Sequence, residues 1–115
     1  MVKFDPNDFR IIQGSTKIDF DPNKEEANRK NHKYSLTCAV DILESSALFQ
    51  QAFITIERIM EDSEVRHIHL AVYQGRIVHF VTTTREPETV RVISIRDASD
   101  REREIFGQNP PRFII

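Results

Sequence analysis

Hydrophobic and polar positions change period several times along the chain, and each change marks an element. Thr16-Lys17-Ile18-Asp19-Phe20 alternates and suits a short strand. Asp21 followed by Pro22 is a helix-start signal, an acceptor side chain ahead of a residue whose φ is already helical. The run from Pro22 to about His32 favours helix but carries almost no apolar stripe, as a solvated helix would. Ser35 can cap a second helix, in which Leu36, Ala39, Val40, Leu43 and Ala47 form a core-facing stripe. Phe53-Ile54-Thr55-Ile56 reads as a strand over Ala52 to Arg58, although Phe53, Ile56 and Met60 also fit a helical face. An acidic turn, Glu61-Asp62-Ser63-Glu64, follows.

Beyond it the alternation predicts a meander of three antiparallel strands, Val65 to Tyr73, Ile77 to Thr84 and Thr89 to Ile95. Gln74-Gly75 and Arg85-Glu86-Pro87-Glu88 form the turns. Ser99-Asp100-Arg101-Glu102 is a capping-box pattern opening a last helix, which Gly107 and Pro110-Pro111 end. The order β-α-α, antiparallel sheet, closing helix is an α+β fold. Residues 1–15 form an extension ahead of this domain, residues 16–107 the domain, and residues 108–115 a tail whose apolar end either packs back or meets a partner. The extension's Phe4-Asp5-Pro6-Asn7 recurs as Phe20-Asp21-Pro22-Asn23, too short a match to be a repeat unit.

The turns imply a register. The first hairpin sets His67 opposite Thr82, and the second sets Thr84 opposite Thr89. One face then carries Ile68, Leu70, Val72, Ile77, Val81, Val90 and Val92 as the core. The other carries His67, His69, Val78, Phe80, Thr82, Arg91, Ile93 and Ile95, with His67, Thr82 and Arg91 converging at its polar end. A one-residue slip would dissolve that grouping. His79, opposite Leu70, is structural on this reading.

Composition adds limits. A chain of 115 residues, 39% hydrophobic and 30% charged, is one ordinary globular domain. No apolar run approaches a membrane span, and the first residues have no signal-peptide core. A lone Cys38 reads as a small buried hydrophobe in a reducing cytoplasm, and no zinc-ligand spacing exists. The formal charge of −2 means that any grip on nucleic acid requires acidic residues segregated to a different face. Arginines at 85, 91 and 96 punctuate one strand and its flanks, a rigid array suited to phosphate or carboxylate. Their bland role is to cap carbonyls or pair with Glu86, Glu88 or Asp97. Lys24, Asn28 and His32 share one helical face.

Taken together, Phe20-Asp21-Pro22-Asn23-Lys24 with Asn28 and His32, Glu64-Val65-Arg66, Gly75-Arg76-Ile77-Val78, Thr84-Arg85, Val90-Arg91-Val92-Ile93-Ser94-Ile95-Arg96-Asp97-Ala98-Ser99 and Arg101-Glu102-Arg103 resemble the BrnT family of bacterial toxins. These are RelE-like ribonucleases of type II toxin–antitoxin pairs. The resemblance covers roughly residues 16 to 106. It implies metal-independent RNA cleavage without a cofactor, inhibition of translation, a cognate BrnA-like antitoxin, and contact with DNA only through that antitoxin. On matched positions it implies Arg66, Arg85 and Arg91 for phosphate binding and charge stabilisation, and His32 for proton transfer, with Lys24 on the same helical face as a further catalytic residue. Arg96 is a further RNA contact or a tie to the last helix; His67 joins from the sheet reading alone. Glu64 is either a base or an orienter of Arg66. The chain departs from the family at Phe20, where tryptophan is usual, at Asn31-His32-Lys33 in place of Lys-His-Gly, and at Leu70-Ala71 in place of Ile-Gly. Two other readings stand beside the enzyme: a weakened relative that serves as a binding module for its antitoxin, and an anion- or nucleotide-binding protein of the same fold.

Overall fold

The computed structural model describes residues 16–45, 52–85 and 89–110. The N-terminal extension, Ala47, the turn at 86–88 and the apolar end of the tail lie outside them. Among the described residues the order is β1 (Lys17–Phe20), α1 (Pro22–His32), α2 (Thr37–Glu44), β2 (Phe53–Glu61), β3 (Glu64–Tyr73), β4 (Arg76–Arg85), β5 (Thr89–Asp97) and α3 (Asp100–Gln108). The strands form one mixed sheet in the order β1-β5-β4-β3-β2, with β1 parallel to β5 and the other pairs antiparallel.

Local chemistry accounts for the ends of the helices. Asp21 caps α1, its Oδ1 accepting from the Asn23 N–H at 2.9 Å, with Pro22 in the first turn. Lys33 closes α1 in the left-handed region at φ 66°. Ser35 is displaced from its expected cap position, because Leu36 precedes α2. Its Oγ still accepts from the Thr37 N–H, while Glu25 of α1 accepts from both the Ser35 hydroxyl and the Leu36 N–H. Ser99 and Glu102 complete the capping box of α3 in both directions.

The first hairpin has the expected register, with His67 opposite Thr82 and Arg66 opposite Thr83. The second does not. Thr84 faces Val90, one residue from the expected Thr89, and Arg91 stands opposite Thr83. A bulge then makes Ile93 the extra residue, so that Val81 faces Ser94 and Phe80 faces Ile95. A second bulge, at Ile56, lies in β2, which runs on to Glu61, three residues past the expected end.

The shift of the second hairpin moves Val90 and Val92 to the face of His67 and Phe80, and the main core lies there, not on the expected face of Ile68, Leu70 and Val72. The main core forms where Phe53, Ala71, Val78, Phe80, Val90, Val92 and Ile95 meet Leu36, Ala39, Ile42 and Leu43 of the α2 region. His67, His69 and Thr82 are buried on this same helix-covered side. The opposite face carries a smaller cluster, Leu70, Ala98 and Phe106, beneath α3. Val72, expected in the core, is 55% exposed.

Candidate functional site

Cross-strand pairing places Arg66 of β3, Thr83 of β4, Arg91 of β5 and Asp19 of β1 in one row on the α3 side of the sheet. Arg66 and Arg91 are two strands apart, about 10 Å at the backbone. Both side chains are roughly 30% exposed, whereas Thr83 between them is buried and its hydroxyl donates to the Val65 carbonyl at 3.0 Å.

Each arginine is held by carboxylate. Arg91 Nε donates to Asp19 Oδ1 at 3.0 Å and Nη2 to Oδ2 at 3.3 Å, and these bonds with the carboxylate charge raise its pKa above the ordinary value. Nη1 of Arg91 makes no hydrogen bond among the described residues. Arg66 is gripped on both edges: Nε and Nη2 reach Glu64 Oε2 at 3.4 and 3.3 Å, and Nη1 reaches Glu61 Oε2 at 3.2 Å. The acidic residues therefore stand in the arginine row and are not segregated to another face. Arg85 pairs with Thr89 two residues further along β4, and Thr89 pairs with Lys17.

His67 is not in this group. Its strand neighbour Arg66 faces the α3 side, so His67 faces the helix-covered core, stacked 6.2 Å from His69. Burial, with a smaller contribution from Arg58, lowers its pKa to about 4, which keeps the ring neutral near pH 7. His69 bridges Thr55 at 2.9 Å and Thr82 at 2.8 Å and is held neutral by complete burial. The predicted convergence of His67, Thr82 and Arg91 fails because the second hairpin is shifted by one residue, which sends Arg91 to the other side.

Arg96 is on the α3 side, opposite His79, four residues along β4 from Thr83 and so about 13 Å from the arginine row. Its Nη1 and Nη2 donate to Glu102 Oε1 and Oε2 at 2.9 and 3.1 Å, and Nη1 also donates to the Asp97 carbonyl. Burial works to raise the Glu102 pKa, but hydrogen bonds from Arg96 and the Ser99 N–H, with the charges of His79 and Arg96, bring it down to about 2. His79 Nε2 lies 3.5 Å from Glu102, and burial lowers the His79 pKa, with Arg96 and His32 acting the same way.

Helix α1 is fastened to the sheet by Asn28, which sequence reasoning placed on the Lys24–His32 face without seeing its task. Where β1 ends, Asn28 takes its place beside β5. Its Nδ2 donates to the carbonyls of Ile95 and Tyr34 at 2.9 Å each, and its Oδ1 accepts from the Ile95 N–H at 3.1 Å. A polar residue on a helical face opposite an unpaired strand edge was the available signal. Lys24 and His32, both exposed, stand one turn to either side of Asn28, about 12 Å apart along the axis. His32 acts electrostatically on His79, at the Arg96 end. Asp19, also unsingled by sequence reasoning, entered through the parallel pairing of β1 with β5. Among the described residues no three His, Cys, Asp or Glu side chains are grouped to hold a metal ion, and no helix is long and apolar enough to cross a membrane.

The family of ribonuclease toxins named BrnT, of type II toxin–antitoxin systems, matches residues 20–102 of the chain. The crystal structure of the Brucella abortus ribonuclease toxin BrnT is similar in fold, with a TM-score of 0.54 at 19% identity, covering 74% of this chain and 99% of that one. No curated protein matches the chain in sequence. With a match that spans most of the chain, this protein belongs to the BrnT family of type II toxin–antitoxin systems.

Proposed function

We propose that the protein is a RelE-like, metal-independent endoribonuclease of the bacterial cytoplasm that stops translation by cutting RNA and is neutralised by a BrnA-like antitoxin. DNA is reached only through that antitoxin. The observation that carries this reading is the Arg66–Thr83–Arg91 row on the part of the sheet beyond α3. In cleavage without metal, the ribose 2′-hydroxyl attacks the adjacent phosphorus and the 5′-oxygen leaves. A base takes the hydroxyl proton, cations stabilise the phosphorane, and an acid protonates the leaving oxygen. Arg91, with Arg66 and Arg85, supplies the positive donors. Glu64, hydrogen-bonded to Arg66, is either the base or an orienter of that arginine. Lys24 is the proton-transfer residue on the Arg91 side of Asn28, and His32 that on the Arg96 side. Arg96, clamped by Glu102, and His67, buried in the core, are left out of the RNA contact.

The carboxylates in the arginine row favour one other reading, a weakened relative whose main task is to bind its antitoxin, because phosphate must compete with Glu61 and Glu64 for Arg66. Inducing the isolated chain in bacteria separates the two. Growth arrest and cut RNA, both abolished by Arg91→Ala or Arg85→Ala, are expected of the enzyme; intact RNA at high expression rules the enzyme out.

A further inference from the structure

Asp19 and Arg91 are brought together by the parallel pairing of β1 with β5, which makes them direct cross-strand partners. The way the carboxylate grips the guanidinium matters. Asp19 takes the Nε–Nη2 edge, with both of its oxygens engaged. A guanidinium has five N–H donors in a rigid plane, so a carboxylate on this edge leaves the Nη1 hydrogens and one Nη2 hydrogen. Those remaining donors form the end-on fork that receives two oxygens of a phosphate. Arg66 shows the alternative, since Glu64 and Glu61 occupy both of its edges.

We infer that Asp19 is a positioning residue for RNA cleavage, fixing the plane of Arg91 so that its Nη1–Nη2 edge is presented to the scissile phosphate. This rests on the ribonuclease reading above and deepens it. An arginine side chain loses considerable rotamer entropy when it is fixed, and Asp19 fixes it before RNA arrives. Asp19 also holds negative charge near the phosphate, so it opposes ground-state attraction while improving the geometry of the transition state. That combination gives a kinetic signature: removing the carboxylate charge lowers kcat and leaves KM unchanged or smaller.

The test is steady-state cleavage of a short RNA by the full chain and by Asp19→Asn, Asp19→Glu and Arg91→Ala, with thermal unfolding of each. Asp19→Asn keeps one acceptor and loses the charge; Asp19→Glu keeps the charge and moves it by one methylene. Both are expected to lower kcat at least tenfold, with KM no more than threefold above that of the parent. If Asp19→Asn does not fold, Asp19→Glu decides alone. A kcat within twofold of the parent in the folded variants overturns the positioning role, and so does a rise in kcat, which would make Asp19 a restraint on Arg91. A KM increase with kcat unchanged overturns it as well. Full cleavage by Arg91→Ala overturns the role of Arg91 and with it that of Asp19; no cleavage by the parent chain is a different failure, for it removes the ribonuclease reading on which the inference stands.

Discussion

Arg91 and Arg96 lie five residues apart on the same strand, on the same face of the sheet, and each is held by two oxygens of one carboxylate. The difference is which edge is used. Asp19 holds Arg91 from the side and leaves its end open; Glu102 holds Arg96 by both terminal nitrogens, and Asp97 takes another hydrogen from Nη1. Arg96 is thereby spent on joining β5 to α3, while Arg91 keeps donors for a ligand. Two residues five apart on a regular strand point to opposite faces. They share a face here because Ile93 bulges out of the ladder between them.

The bulge is the point at which this comparison breaks most severely. Inserting one alanine after Ile93 puts two residues where the ladder admits one extra, and forces either a wider bulge or a slip of the segment from Ser94 to Asp97, displacing Ile95 from its place opposite Phe80. Loss of folding is expected, a cost above about 4 kcal/mol, read as loss of a cooperative unfolding transition. A folded, fully stable insertion variant would show that the spacing at Ile93 does not set the register beyond it.

Next comes the exchange of functions between the two arginines. Arg91→Ala is expected to lower RNA cleavage about 10²–10³-fold with a small change in stability, the cost of removing one preorganised donor. Arg96→Ala is expected to do the reverse. Its cleavage per folded molecule stays near the parent's, and unfolding in urea shows a loss of about 1–3 kcal/mol as Glu102 loses its partner. Equal effects of the two substitutions on cleavage would erase the distinction.

Asn28 holds the β5 edge between the two sites. Asn28→Ala leaves the N–H and C=O of Ile95 without their partner and is expected to cost about 2–4 kcal/mol by urea unfolding. Asn28→Asp, which retains only the acceptor, should not restore the loss.

The smallest effects are in pH. Glu102 has a folded pKa of about 2, below its ordinary 4.5, so its contribution is complete above pH 4.5 and is lost as pH falls towards 2. His67, lowered from 6.5 to about 4, favours the fold as a neutral ring. Its contribution is complete above pH 6.5 and is lost as pH falls towards 4. Each proton gives a slope of at most about 1.4 kcal/mol per pH unit. Glu102→Gln should flatten the lower window and leave the upper one in place; His67→Phe should do the opposite.

Much of the fold was legible in the sequence because its signals are local. The Asp21-Pro22 start, the Ser99–Glu102 capping box and the Gln74-Gly75 hairpin each depend on neighbours within a few residues. The sheet faces were not, because the second hairpin shifts by one and Ile93 bulges, and either change inverts every side chain beyond it. The site divides the same way. Arg66 and Arg91 were legible as a residue type on strands, and the possibility that Arg96 serves the last helix was legible from Glu102 in the capping pattern. Asp19 was invisible, since a parallel partnership between β1 and β5 spans most of the domain and leaves no local mark. His67 joined the wrong group for the register reason alone.

The most direct test is cleavage of a short RNA by the purified protein in chelator, beside the same oligonucleotide with 2′-deoxy sugars. The expected result is cut RNA ending in 2′,3′-cyclic phosphate, an intact deoxy strand, and near-complete loss of cutting in Arg91→Ala with Arg96→Ala still active. An uncut RNA, or Arg91→Ala cutting as fast as the parent, would contradict the assignment of Arg91 as the phosphate-facing arginine of a ribonuclease.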